Sequence, residues 1–337
     1  MYTWKLLKAP LIAAMIMVLA AGCATADSDV ALTQALPRPE EPDITVAAIP
    51  ATDLAGLYVA QDNGLFAQQG LHVTIEKITN SQAILADQLK GQIDISAGSY
   101  VAYISAQASG ARFRILAEAS TLREGTRVLV TTADSPITTI ADLIGAKIGV
   151  NGTNSIGTLL TSMVLQEHGI SPRRVHFITA QQGFPAMPGQ LQNRAWGAAF
   201  LAEPYITVAG EQYGEKELTD LDQGSTANLP IDGYVATQAW ALRFPKTAAA
   251  FVRAIEEGQV LANTQATEVQ AAVGKADQLP PEVTALTVLP GFPTGRVIKA
   301  EIQRVASAML QFGMLGQAYT AEVRQGTLVG SMIGPGS

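Results

Sequence analysis

The chain has 337 residues and a net charge of −7, with 22 Lys and Arg against 29 Asp and Glu. That balance argues against nucleic acid as a partner. One cysteine and three histidines, the latter without HxxH or HExxH spacing, leave little material for a metal centre or a disulfide framework. The chain also lacks a Gly-x-Ser-x-Gly elbow and a Gly-x-x-x-x-Gly-Lys-Ser/Thr phosphate loop.

Lys5 and Lys8 precede an apolar run from Leu11 to Ala21, which ends in Leu19-Ala20-Ala21-Gly22-Cys23. A basic start, a short apolar core and small residues before a cut are the parts of a secretory signal. The core is too short for a comfortable membrane span. The order Leu-Ala-Ala-Gly-Cys resembles a bacterial lipobox, so residues 1–22 are expected to be removed and Cys23 to carry lipid. Lipid on Cys23 leaves the mature chain no thiol for a disulfide, a metal or a nucleophile. Residues 23–43 are rich in Ala, Asp, Ser, Pro and Glu and read as a tether that holds a globular body off a membrane.

From Ile44 the pattern alternates strand and helix. Strands are predicted at 44–50, 71–78, 92–98, 112–119 and 127–131, with helices from Gly56 to a stop at Gly64, from a cap at Ser81 to Lys90, and from Ser99 to Ser109. A second series supplies a short helix and strand over 140–150, strands at 175–178 and 197–201, and a helix start at Glu203-Pro204-Tyr205. A strand at 232–237 follows, and then helices at 246–263, 282–286, 297–315 and 319–325. Such alternation implies an α/β fold with largely parallel sheets. Two series in tandem imply two lobes with a cleft, with 44–132 and 226–337 forming the first lobe and 133–225 the second.

In such sheets ligands lie beyond the carboxyl ends of the strands. Those ends here are Ala51 to Gly56, Asn80 to Ala83, and Gly98 to Tyr100. They nominate Asp53, Leu54, Ser81, Gln82, Gly98, Ser99 and Tyr100. The clearest single site is Lys147 to Leu160, a short strand, a Gly/Asn/Thr/Ser loop and a helix striped by Ile156, Leu159, Leu160, Met163 and Val164. Asn154 or Ser155 is expected to cap that helix, and Thr153, Asn154 and Ser155 to hold a polar or anionic group at its N-terminus. Tyr58, Tyr100, Phe184, Trp196 and Tyr234 are candidate aromatic walls, with core packing as the other use of each ring. Glu203 either touches ligand or caps its own helix.

Four ordered motifs carry a resemblance. Tyr58-Val-Ala-Gln-Asp-Asn-Gly-Leu-Phe66 with Gln69-Gly-Leu-His-Val73 is followed by Gln88 to Ser96, then Ala141 to Val150, then Phe200-Leu-Ala-Glu-Pro-Tyr205. In these the chain resembles periplasmic-type solute-binding lipoproteins of ABC importers. The nearest group holds the aliphatic-sulfonate, taurine and nitrate binders and the thiamine-pyrimidine binders. The resemblance implies a two-lobed, type II periplasmic-binding-protein-like fold and a non-enzymatic role without cofactor or metal. It also implies three partners: a small solute, an ABC permease with its ATPase, and a membrane reached through lipid on Cys23, facing the extracytoplasmic side. A lipid-anchored sensor on the same fold is the alternative. A thiamine-pyrimidine synthase-like enzyme is disfavoured because such enzymes depend on a cysteine-rich iron-binding segment. One departure stands out: where the second lobe of that family carries Gly-x-Val-Asp-Ala, this chain has Asn193-Arg-Ala-Trp-Gly-Ala198. The nominated loops hold no Lys or Arg, except Lys147 and Arg194 at their margins. A monoanionic sulfonate or carboxylate, or a neutral heterocycle held between aromatics, is therefore the expected ligand.

Overall fold

The computed structural model describes residues 37–49, 51–78, 81–316, 320 and 327–333. The expected signal peptide, Cys23 and the helix at 319–325 lie outside the described residues, apart from position 320. The first lobe runs β1 (Asp43–Ala48), α1 (Ala55–Asp62), α2 (Leu65–Gln68), β2 (His72–Lys77), α3 (Ser81–Leu89), β3 (Ile95–Ser99), α4 (Tyr100–Ala108) and β4 (Phe113–Thr121). The second runs β5 (Arg127–Thr131), β6 (Lys147–Val150), α5 (Ile156–Glu167), β7 (His176–Thr179), α6 (Met187–Gln192), β8 (Ala198–Ala202), α7 (Tyr205–Tyr213) and β9 (Lys216–Asp220). The chain then returns through β10 (Pro230–Thr237), α8 (Gln238–Arg243), α9 (Pro245–Thr264), α10 (Ala266–Asp277), α11 (Pro281–Thr284) and α12 (Lys299–Gln311).

Each lobe has a five-stranded sheet, ordered β2-β1-β3-β10-β4 in the first and β7-β6-β8-β5-β9 in the second. Three strands of each sheet are parallel, and the strand arriving from the other lobe is inserted antiparallel beside them: β10 between β3 and β4, β5 between β8 and β9. Parallel strands covered on both faces should read as continuous apolar runs. Ile95–Ser99 and Ala198–Ala202 are buried at every position.

The exchange of strands corrects the expected lobe boundary. The sequence places Arg127–Thr131 in the first lobe, yet β5 pairs with β8 and β9 of the second sheet. The chain therefore crosses at residues 122–126, upstream of 132. An apolar strand after a Glu124-Gly125 turn reads the same whichever sheet accepts it. The two crossings touch one another, with Leu122 N–H donating to Leu229 C=O at 2.9 Å. The sequence pattern did not show the short helices α2 and α8, nor β9 and α10. The edge strand β9 is polar and largely exposed (Lys-Glu-Leu-Thr-Asp), so it lacks alternation. Helix α10 buries only Val269, Ala272, Val273 and Gly274.

Part of the expected tether is docked. The Glu40 carboxylate accepts from the backbone N–H groups of Lys246 (2.9 Å) and Thr247 (2.9 Å), capping the first turn of α9, and Glu41 N–H donates to Thr247 Oγ1 at 2.9 Å. An acidic group at a helix N-terminus satisfies orphan donors and opposes the dipole. Glu40→Ala is expected to lower the melting temperature without touching the sheets, as calorimetry would show. An unchanged melting temperature would mean that the segment is tethered elsewhere.

The unusual Gly197 has a packing cause. A Cβ there would lie 2.8 Å from Ile137 Cδ1, so a larger residue at this position requires the Ile137 side chain to move. Neighbouring Trp196 lies across Gly149, whose missing Cβ would fall 2.2 Å from the indole. Trp196 thereby packs in the core.

Candidate ligand-binding site

The carboxyl ends of β1, β3 and β4 and the start of β10 meet at the face of the first lobe that turns towards the second. The turn Thr52–Leu54 follows β1 and is buried throughout. Asp53 accepts from Ser120 Oγ at 2.9 Å and forms a buried ion pair with Arg127, the first residue of β5. Its carboxylate thus ties the first lobe to the second and is not free for a solute. Leu54 is core. Asp232, on β10 opposite both Ser99 and Ser120, joins this cluster. Burial, and then the charge of Asp53, push its carboxyl well above the usual carboxylate range, with Arg127 opposing.

Ser99 ends β3 beside Gly98 and caps α4, its Oγ accepting from Val101 N–H at 3.3 Å. Tyr100 and Tyr234 are fully buried in the first lobe. The Tyr100 ring lies over Gly233, and Tyr234 stands edge-on to Phe251 with centroids 5.7 Å apart. Both rings pack in the core, and neither hydroxyl has a hydrogen-bond partner. Ser81 and Gln82 open α3 and are described by backbone alone; Ser81 is the first helical residue, one place inside the expected cap.

In the second lobe Thr153 and Asn154 are exposed on the loop before α5. Asn154 Nδ2 donates to Ser105 Oγ of the first lobe at 3.1 Å. Ser155 occupies the cap position of α5 but makes no capping bond. Its hydroxyl is directed back into its own loop, 2.8 Å from Asn151 Oδ1 and 2.5 Å from Gly152 O. The expected Ser155 cap is therefore corrected: the side chain braces the loop and leaves the first N–H groups of α5 to another partner. Ser155→Ala is expected to lower stability, and Asn154→Ala to leave stability unchanged while weakening solute binding. Chemical denaturation and titration of the same two proteins check both, and equal behaviour of the pair would contradict the assignment.

Glu203 caps its own helix. Its carboxylate accepts from Thr207 N–H (3.1 Å) and Thr207 Oγ1 (3.0 Å), and also from Val288 N–H (3.1 Å) in the returning segment. Its backbone carbonyl accepts from Thr52 N–H at 3.2 Å, a bond from the first lobe to the second. Burial raises the Glu203 carboxyl to about 7, against the pull of these donors. Phe184 stacks parallel to Tyr205 with centroids 6.3 Å apart. Tyr58 is buried on α1, and its hydroxyl has no hydrogen-bond partner.

The sequence pattern missed Thr52, Ser120, Arg127, Tyr205, Asp232 and Asp277. Tyr205 was within reach, since it completes the quoted Glu-Pro-Tyr motif. Asp277 sits at the end of a helix that the pattern did not show. Among the described residues no group of three or more His, Cys, Asp or Glu side chains is placed to hold a metal ion, and no helix is long and apolar enough to cross a membrane.

The family model described as NMT1/THI5 like matches residues 51–267. The chain belongs to that family. The matched stretch covers both sheets except β1, including the Thr52 turn, the α5 loop and Glu203-Pro204-Tyr205. Among solved structures, the chain is similar to the alkanesulfonate-binding protein SsuA from Xanthomonas axonopodis pv. citri bound to MOPS, with TM-score 0.73, 15% identity, and 88% of this chain and 99% of that one covered. It is also similar to the periplasmic nitrate-binding protein NrtA from Synechocystis PCC 6803, with TM-score 0.74, 15% identity, and 88% and 87% covered. A Candida albicans protein described as having the generic periplasmic binding protein fold matches with TM-score 0.71, 14% identity, and 87% and 96% covered. At such identities the likeness establishes the fold, which is the two-lobed, type II periplasmic-binding-protein-like α/β fold expected from the sequence. A search of curated proteins finds no match.

Proposed function

We propose that this chain is the substrate-binding component of an ABC importer, anchored by lipid on Cys23 and facing the extracytoplasmic side. It captures a small organic solute between its lobes without chemical change and delivers it to a permease driven by its ATPase. The observation that carries the reading is the exchange of β5 and β10 between two sheets of the same pattern, with the turn after β1 bonded to the turn after β8 (Thr52 N–H to Glu203 C=O, 3.2 Å) and the loop after β6 bonded to α4 (Asn154 Nδ2 to Ser105 Oγ, 3.1 Å). A solute touching both sets of loops stabilises the closed arrangement because it meets all its contacts only there. The sulfonate- and nitrate-binding proteins of like fold support the role, and sulfonate-, nitrate- and thiamine-pyrimidine-like solutes are the classes to test first.

The test is exposure of the purified chain to a metabolite extract, followed by desalting and native mass spectrometry. A discrete added mass at one solute per chain is expected. A bare chain after extracts from several growth conditions would overturn the proposal. An enzyme would instead convert the bound solute, and its mass would change on incubation.

Protonation offers a separate check on the fold. Burial raises Glu215 to about 8 and Glu203 to about 7. Both values exceed those of the unfolded chain, so between about pH 5 and pH 8 the folded state holds more protons. The two groups therefore make stability fall as pH rises through that window. A higher melting temperature at pH 5.5 than at pH 8 is expected, with a flatter profile in Glu215→Gln. A profile rising with pH, unchanged by that substitution, would contradict the burial of these carboxyls.

A further inference from the structure

Helix α10 ends at Asp277 and packs on α1, while α11 packs on α7 of the second lobe. Both carboxylate oxygens of Asp277 are inaccessible and accept no hydrogen bond, and the buried Tyr58 hydroxyl on α1 is likewise unpartnered. Buried oxygens without donors are costly, and here a carboxylate and a hydroxyl on two packed helices both lack one. Tyr205 closes this corner from the second lobe. It lies within electrostatic reach of both Asp277 and Tyr58, and its ring is stacked parallel to Phe184.

From this arrangement we infer that the solute carries a protonated amine or amidine, seated on Asp277 and Tyr58 near Tyr205. The inference rests on the solute-capture reading and names the ligand class for that site. An ammonium group offers three donors and no acceptor, matching Asp277 Oδ1, Asp277 Oδ2 and Tyr58 Oη. The neighbouring rings favour a cation through their negative faces. A metal ion fits poorly, since one carboxylate and two phenols fall short of the oxygen count a hard cation requires. An anion fits worse. It would face Asp277, while Arg127, the cation buried at the crossing, is bound to Asp53. Burial raises the Asp277 carboxyl to about 6, with Lys77 opposing, so the group is mainly ionised above neutrality. This class differs from the monoanion expected from the loops alone. The loops themselves carry no carboxylate aimed at a solute, and Asp277 comes from a helix outside them.

The test uses ligands that share one ring. The full chain is titrated at pH 7.5 with benzylamine and benzamidine, and with benzyl alcohol, benzoate and benzenesulfonate. The two cations are expected to bind and to raise the melting temperature; the other three are not. Asp277→Asn keeps the shape, removes an unpaired buried charge and is expected to fold. It should weaken cation binding about tenfold or more, and Tyr58→Phe should weaken it less. Three results would each overturn the inference: tighter binding of an anion, unchanged cation binding in Asp277→Asn, or no binding of either cation. A solute recovered from metabolite extract that lacks a basic nitrogen would sink the amine class and leave solute capture standing. Failure to recover any solute would remove both.

Discussion

Arg127→Ala is expected to destabilise the fold by about 3–5 kcal/mol, the usual result of breaking a buried ion pair by removing one partner. Arg127 is buried, its guanidinium donates to Asp53 and to Thr126 C=O, and it stands where the chain enters the second sheet. Its removal leaves Asp53 and Asp232 together with no buried cation between them. Asp53→Ala is expected to do less harm. The Asp232 carboxyl already feels Arg127 and is raised largely by burial and by Asp53. Without Asp53 it can ionise and become the counter-ion of Arg127. Urea denaturation of both variants checks the asymmetry. Equal losses would mean that Asp232 does not share the cluster, and a milder Arg127→Ala would contradict the account.

Gly258→Ala is the second large effect. A Cβ at 258 would lie 2.5 Å from Gly56 C=O and 2.9 Å from Ala60 Cβ, so α1 and α9 cross with one backbone against the other. Neither contact is the end of a flexible chain that can swing aside. Overpacking of this kind costs about 1–3 kcal/mol, and more where backbone must move. Gly210, inside α7, is the matched control, because nothing lies within 4 Å of its missing Cβ. Gly210→Ala is expected to be neutral or to stabilise by up to about 1 kcal/mol through helix propensity. Thermal unfolding of the two variants should move in opposite directions. A Gly258→Ala protein as stable as the parent would show that the two helices are less closely set.

The alternation of buried strands and capped helices was legible because each element repeats its own period, and that was enough for the two-lobed α/β fold. The lobe boundary was not, since an apolar strand such as Val128-Leu129-Val130 carries no mark of the sheet it joins. The loops of the candidate site were legible as small polar stretches at strand ends. What their side chains do was not. Tyr100 and Tyr234 are rings that suit a core or a wall equally, and burial assigns them to the core. Ser155 stands where a cap belongs, yet its hydroxyl finds Asn151 and Gly152 closer. Asp53 offered a carboxylate at a strand end, and only the fold brings Arg127 from 74 positions away to neutralise it. Asp277 was least legible, because its significance lies in what it does not touch.

The proposed function requires that a solute held between the two lobes draws them together. Small-angle X-ray scattering of the chain, with and without the solute recovered from metabolite extract, tests it most directly. A smaller radius of gyration is expected at saturation, with the change abolished when Asn154 and Phe184 on the second lobe are both replaced by Ala. A solute that binds at one per chain while the scattering curve stays unchanged, in parent and variant alike, would contradict it.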